Sequence, residues 1–428
     1  MQYIWLIGLC VMFLCIFFAL RNLKKKRLVD DVPTSKAKGV FIGLVELKGK
    51  VKCDNPLKSY LTERPNVYYK WSVQEHWTRT TTEHYTDSKG HRKTRTKTES
   101  GWKTVASGGD HKPFDLCDDT GRVLVRPDKA KVEAVNVMNY TCGMTDSLYY
   151  GKGPSMTVPN SDFRRRFKEE IIEPGATLYV FGQSHEREDI VAPVIAYDKE
   201  APMFLISTRE EKKVSRSYGF YYWLLLAIGL LAGLVTTYFS LNRSFYYPAE
   251  PLQPYLITAG IFCITLFLGW FWVIHNSLKS LLYRVDQAKS QIDVQFKRRI
   301  DLIPSLVNTV KGIAKYEKEM LEKLSSLRSH LSREGTRQTL NIIIEKYPQL
   351  RSQGSFMRLQ KELVDTENRI SLARGYYNEI TSFHNARLER FPDFLVCKLS
   401  RLKPRKLLTI YNEKERRRVE VKESALPN

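Results

Sequence analysis

Seven cysteines are spread over 428 residues, and no two of them form a Cys-x-x-Cys pair. Zinc ribbons and RING modules need closely spaced Cys/His pairs, so this stretch of sequence supplies no such centre. Cys10, Cys15 and Cys263 fall inside apolar runs, while Cys53, Cys117, Cys142 and Cys397 make no framework. That usage predicts free thiols in a reducing compartment. Also missing are a Gly-rich phosphate loop, a Gly-x-Ser-x-Gly elbow and a zinc-protease helix. Gly151-Lys152-Gly153-Pro154-Ser155 lacks the third glycine of a nucleotide fingerprint and reads as a loop. Acid is scarce: 46 Asp and Glu stand against 68 Lys and Arg, a net charge of +22. The basic residues are not interleaved with aromatics as in single-strand binders, so nucleic acid is not an expected partner.

What the chain has instead is long uncharged apolar runs. Tyr3 to Leu20, Tyr218 to Leu241 and Tyr255 to Ile274 carry no charged side chain. Each approaches the roughly 20 residues needed to cross a bilayer. Basic residues then mark the inner side. Arg21, Lys24, Lys25, Lys26 and Arg27 follow the first run, and Lys212, Lys213 and Arg216 precede the second. The connector Asn242 to Pro254 holds only Arg243 and Glu250. The first run is expected to be an anchor with its N-terminus outside, because no basic residue precedes it and no small-residue cleavage site follows. Gly229 and Gly233 make a small-xxx-small pair suited to close helix approach, within the chain or between copies in a homo-oligomer.

Residues 36–205 change character. Val40 to Val45, Val67 to Val73, Val123 to Val125 and Thr177 to Gly182 read as strands. Thr78 to Thr98 alternates threonine with charge around Asp87-Ser88-Lys89-Gly90 and reads as a long polar hairpin. In Asp119-Thr120-Gly121 the acid is expected to bond the turn backbone and the glycine to take a positive φ. Three segments resemble the membrane-associated domain of MULAN/GIDE-type E3 ubiquitin ligases and its bacterial relatives. They are Gly43 with Val51-Lys52-Cys53 and Val67-Tyr68-Tyr69, then Phe114 to Pro127, then Pro174-Gly175-Ala176 leading to Tyr179-Val180-Phe181-Gly182. In those ligases the transferase activity belongs to a separate RING, so the resemblance implies a fold here and not a reaction.

From Ser290 to Val307, Ile292, Phe296, Leu302, Ile303, Leu306 and Val307 recur at helical spacing, with Lys297, Arg298, Arg299 and Asp301 among them. Pro304 is expected to bend this helix. The block resembles the signature of the LemA family of membrane-anchored antiparallel helical proteins. The likeness continues through Thr309 to Gly312 and Glu317, and returns at Leu359-Gln360, Glu362-Leu363, Thr366 to Ile370, Arg374, Tyr377-Asn378, Asn385 and Phe391-Pro392. The resemblance implies an architecture and lends no reaction.

The sequence therefore predicts an α+β multidomain membrane protein with a mainly-β cytoplasmic domain, three transmembrane helices and an antiparallel α-helical bundle. Its segments are an anchor (1–21), the GIDE-like domain (36–205), two further spans (218–241 and 255–274), the LemA-like bundle (276–399) and a basic tail (400–428). Arg298, Arg299 and Asp301 are expected to meet Glu367, Asn368 and Arg369 in a structural network, because buried charge is tolerated chiefly when paired. The same residues in a binding pocket are the alternative. Arg401, Lys403, Arg405, Lys406, Arg416, Arg417 and Arg418 form a tail suited to anionic lipid headgroups. His76, His84, His91 and His111 lack metal-ligand spacing, and Asp118 with Asp119 suits a turn better than an acid–base pair. No catalytic residue, cofactor or metal is expected. The role that fits is a scaffold or sensor at the bacterial inner membrane, with a membrane or cytoplasmic protein partner. The rival reading is a ubiquitin-ligase-like transferase.

Overall fold

A computed structural model describes residues 2–86, 92–186, 192–242, 252–311 and 354–408. The chain divides into a β unit, Thr34–Glu211, and a helical unit made of Met1–Pro33 and Lys212–Asn428. The β unit is thus an insertion, in chain order, within the helical one.

In the β unit, β1 (Thr34–Ser35) and β2 (Gly43–Lys52) are followed by a short β3–β4 pair (Leu57–Lys58 and Pro65–Asn66). Next come the long β5 (Tyr68–Thr86) and β6 (Arg92–His111), then β7 (Phe114–Cys117), β8 (Arg122–Val125), β9 (Lys131–Glu133) and β10 (Val135–Gly143). After the one-turn α2 (Ser147–Gly151) the chain forms β11 (Ser161–Ile172), β12 (Thr177–Glu186), β13 (Pro193–Ala196) and β14 (Leu205–Ser207). Strand pairing closes on itself: β2 pairs β7, β7 pairs β8, β8 pairs β13, β13 pairs β12, and β12 returns to β2. The result is a five-stranded barrel with β1, β14 and β9 added at its margins. Closure removes the exposed strand edges of the five. Val45, Leu47, Val51, Phe114, Leu116, Val123, Val125, Leu178, Val180 and Ile195 fill the core. A second sheet, ordered β10-β11-β5-β6, carries the polar hairpin. Its strands reach Thr86 and resume at Arg92, and the tip, with Ser88 and His91, lies outside the described residues.

The first strand differs from the sequence expectation. Val40 to Ile42 are not strand: Ala37–Gly39 form a 3-10 turn and β2 starts at Gly43, where φ is 140°. Two hydrogen bonds from the 118–121 turn capture this turn, so local β-propensity is overridden by a tertiary contact. Ala37 N donates to Asp118 Oδ2 at 2.7 Å and Lys38 N to Thr120 Oγ1 at 3.1 Å. At the Pro174-Gly175 turn, Gly175 has φ +85° and its N–H donates to Val51 O at 2.8 Å.

The helical unit holds α1 (Gln2–Asp30), α3 (Glu211–Asn242), α4 (Leu252–Lys311), α5 (Gly354–Glu389) and α6 (Asp393–Leu399). Three of these are long and apolar enough to cross a membrane, over Trp5–Asp30, Glu211–Ser240 and Leu252–Leu302. Met12, Ile16, Ala19, Leu226 and Phe262 pack where the three meet, while Phe17, Trp223, Phe267 and Trp272 point outward and exposed. Helices apolar on every side are what a lipid environment asks for. Gly229 and Gly233 serve close approach within this chain: an added Cβ would lie 2.9 Å from Cys15 Cβ and 3.2 Å from Met12 Sδ, respectively.

One helix, α4, carries the third apolar run and the start of the charged region without interruption, and it stays helical through position 304. α5 runs antiparallel to it. Ser277 and Arg387 meet at Asp31, Asp286 and Asn385 both bond Arg405, Phe296 meets Arg374, and Arg299 meets Glu367. Gly312 and Glu317 lie outside the described residues.

Candidate functional site

Charged side chains buried in the β unit are bound to its own loops. Asp118 Oδ1 accepts from Thr120 N (2.7 Å), Thr120 Oγ1 (2.7 Å) and Gly121 N (3.0 Å). Burial alone would raise its pKa, but these donors and Ala37 N outweigh it and hold the carboxyl below its ordinary value. It is thus Asp118, rather than Asp119, that fastens the turn. Asp119 instead pairs with Lys36 on the surface at 2.7 Å, and Gly121 is not among the glycines at positive φ.

Arg165 is fully buried and uses all five of its N–H donors. Nε and Nη2 reach Glu75 Oε2 at 3.3 and 3.1 Å, Nη1 reaches Tyr149 O and Pro154 O at 2.7 Å each, and Nη2 also reaches Met156 O at 3.1 Å. The segment around Gly153 is therefore a loop wrapped on a guanidinium. Glu169 does the same for the 59–62 loop, accepting from Leu61 N at 2.7 Å and Thr62 N at 2.9 Å. Neither carboxylate is left over for acid–base work.

The histidines go to separate partners: His76 to Asp162, His84 to Thr94 Oγ1 at 3.3 Å and His111 to Asp128 at 3.1 Å. Among the described residues no group of three or more His, Cys, Asp or Glu is placed to hold a metal.

Glu46 is the outlier of the β unit. It is buried on β2, accepting from Thr34 Oγ1 at 2.7 Å and Tyr179 OH at 3.0 Å. Desolvation dominates over these donors, and Glu211 adds to it, so the carboxyl is pushed up to about 8.

The helical unit concentrates its charge in one buried cluster. Arg387 Nη1 donates to both oxygens of Asp31, at 2.6 and 2.5 Å, and its Nε donates to Asp393 Oδ2 at 2.5 Å. Arg27 forms a two-pronged pair with Asp393 at 3.1 and 3.2 Å, and Ser277 Oγ donates to Asp31 at 3.0 Å. Arg387 is 5% exposed, Asp31 6% and Asp393 1%. Burial alone would lower the Arg387 pKa, but Asp31 and Asp393 hold it above its ordinary value. Two cations and two anions from α1, its C-terminal continuation, α5 and α6 cancel. Along one face of α5, Thr381 Oγ1, His384 Nε2 and Arg387 Nη2 are buried without a hydrogen-bond partner among the described residues. Burial pushes up the pKa of the neighbouring Cys397 thiol.

Of the residues singled out from sequence, Arg299 and Glu367 come together, Nε to Oε1 2.9 Å, both buried across α4 and α5. Arg369 pairs along its own helix with Asp365 at 2.8 Å, Asp301 is exposed, and Arg298 and Asn368 are half-buried. Tyr377, Asn378 and Asn385 hold the C-terminal segment. Tyr377 OH donates to Lys406 O (3.0 Å), Asn378 Nδ2 to Leu408 O (2.9 Å) and Asn385 Nδ2 to Arg405 O (2.8 Å). Arg405 also pairs with Asp286 at 3.2 Å, twelve residues or about 18 Å along α4 from Ile274. Arg401 and Lys403 are exposed. Arg416, Arg417 and Arg418 lie outside the described residues.

Two outcomes follow. Arg387→Ala leaves Asp31 and Asp393 buried with their main partner gone, so thermal unfolding of the purified full chain should show a loss of about 3–5 kcal/mol. An unchanged melting curve would refute the role assigned to the cluster. The native Glu46 keeps its proton up to about pH 8, whereas the unfolded carboxyl loses it near 4.5. Between those values the native state binds the extra proton, so the stability contributed is full below about 4.5 and is lost as pH rises to about 8. Glu46→Gln should flatten that decline, measured as melting temperature against pH. An identical slope in both proteins would count against it.

Comparison with known proteins finds two families along the chain. Residues 288–422 match the model of the LemA family, from the charged half of α4 onward. Residues 82–237 match the GIDE model, described as E3 Ubiquitin ligase, from the polar hairpin into α3. Protein LemA of Metamycoplasma hominis is 25% identical over 145 residues, which are 29% of this chain and 66% of that relative. The chain joins a GIDE-type domain and a LemA domain in one polypeptide.

Proposed function

We propose that the chain is a LemA-type membrane protein acting as a scaffold or sensor at the bacterial inner membrane, without a reaction of its own. Both soluble domains face the cytoplasm and the N-terminus lies outside. The observation that supports this best is where the buried charge goes: Glu75, Glu169, Arg165, Arg299, Glu367 and Arg387 are all engaged within the fold. Fixed, mutually satisfied charge suits a rigid platform, whereas a catalytic acid or base needs a group free to exchange protons with substrate. The lysines and arginines beside the apolar helices orient the chain by their preference for the cytoplasmic side. Anionic headgroups and an unidentified membrane or cytoplasmic protein are its partners.

A second reading comes from the description of the GIDE family as E3 ubiquitin ligases. A RING uses eight Cys/His ligands in close pairs, and the seven cysteines present make no such pair. The purified full chain, incubated with ubiquitin, activating and conjugating enzymes and ATP, should yield no more conjugate than a blank. Conjugates above the blank would establish the transferase reading instead. Orientation is checked in intact cells with a membrane-impermeant thiol reagent on a chain lacking its native cysteines. Pro248→Cys should react and Ser100→Cys should not; the reverse pattern would overturn the topology.

A further inference from the structure

The helix α6 reads Asp-Phe-Leu-Val-Cys-Lys-Leu and is apolar on both sides. Its inner side, Val396 and Cys397, packs on Ile274 and Leu278 of α4, with Trp270 and Phe271 against the same cluster. Its outer side is Phe394, Leu395, Lys398 and Leu399, and Phe391 stands just before it. Phe391 is 74% exposed and Leu399 72%, and Phe394 and Leu395 are exposed as well. Three large apolar side chains on a two-turn helix, with Phe391 just before it, are not scattered surface residues; such a patch marks a contact.

The depth at which α6 docks identifies the contact. Leu20 closes the apolar run of α1 and touches Gly269 of α4, where an added Cβ would lie 2.2 Å from Leu20 Cδ1. The end of the first run is therefore level with the last turns of the third. α6 packs on those same turns, and Ser400 Oγ meets His275 Nδ1 at 2.8 Å just past them. Asp393, at the other end of α6, is tied upward to Arg27 and Arg387. The ionic cluster thus fixes the upper end, and Leu399 is carried down beside the apolar run. Lys398, within α6, and Arg401 and Lys403, just after it, are exposed and add positive charge to this segment. An apolar face edged with lysine and arginine suits the boundary between acyl chains and anionic headgroups.

We infer that Phe391, Phe394, Leu395 and Leu399 form an interfacial foot, inserted in the lipid leaflet on the side of the charged helical region. This rests on reading the apolar helices as membrane spans. The headgroup contact then belongs to Lys398, Arg401 and Lys403, while Arg405 is held at Asp286 farther along α4. The foot braces the long α4–α5 pair on the membrane surface, and its ionic tether transmits any tilt of that pair to α1.

The test is photo-crosslinking of the full chain in vesicles of phosphatidylethanolamine and phosphatidylglycerol. The photoreactive residue p-benzoylphenylalanine replaces Leu395 or Leu399, and in controls Trp272 or Tyr283. Trp272 is exposed within the third apolar run, and Tyr283 is exposed about 14 Å beyond Ile274 along α4. Lipid adducts at Leu395 and Leu399 should approach the Trp272 yield and exceed the Tyr283 yield several-fold. Adducts at Trp272 but none at either foot position would overturn the foot and leave the spans intact. Adducts to protein at Leu399, whether a second copy or another chain, would overturn it too. Absence of lipid adducts at Trp272 itself would overturn the membrane reading on which the inference stands.

Discussion

The helical unit depends on one guanidinium held between two carboxylates. Arg387 joins Asp31 to Asp393, and Arg27 supplies the charge that would otherwise be missing. Each of these ions would be costly to bury alone, so the arrangement is all-or-none: it is tolerable only when α1, α5 and α6 are all seated. That selects a register for each helix more sharply than apolar packing does, because a slide of one turn would expose a cation on one side and strand an anion on the other. Between α4 and α5, Arg299 and Glu367 repeat the device with one ion of each sign.

The β unit uses charge to a different end. Its barrel is held by apolar packing and strand closure, and its buried ions fasten loops that make no ladder. A guanidinium wrapped by 149–156 and a carboxylate that gathers the 59–62 amides replace the regular hydrogen bonds those segments lack. Glu46 is the exception, held by two hydroxyl donors with no cation bound directly to it, and so it keeps its proton where other carboxylates have lost theirs. The closed barrel is accompanied by a long threonine-rich hairpin on the second sheet.

How much of this could be read from the sequence follows from sequence distance. The apolar runs, the periodic face around Ile292 and Phe296, and the turn at Asp118 are local patterns, and local patterns survive in one dimension. The barrel was not legible as a barrel, because its closing pair joins residues such as Glu46 and Tyr179 that are far apart. Glu46 itself sits in an ordinary alternating strand, and nothing in its neighbours announces burial. The ionic cluster was hidden for the same reason. In the sequence Arg27 is one member of a basic run, and Asp393 follows Phe391-Pro392 without any feature of its own. Asp301 and Asn368 illustrate the opposite error: charge beside a periodic apolar face suggests a network, but helical rotation carries some of it outward. Tyr377, Asn378 and Asn385 were visible as motif positions, yet their hydrogen bonds to residues 405–408 could not be read without the fold.

The insertion of the β unit between α1 and α3 has a consequence for synthesis. Asp31 leaves the ribosome 356 residues ahead of Arg387. At ordinary elongation rates that is a delay of roughly 20–70 s. Throughout it the first apolar helix waits with an acidic residue lacking its main partner, while an entire barrel and two more apolar helices are made. The helical unit therefore cannot mature from its N-terminus onward. Arg387 and Asp393 supply the counter-charges for Asp31 and Arg27, so their joining is a checkpoint that only a chain extended past Asp393 can pass.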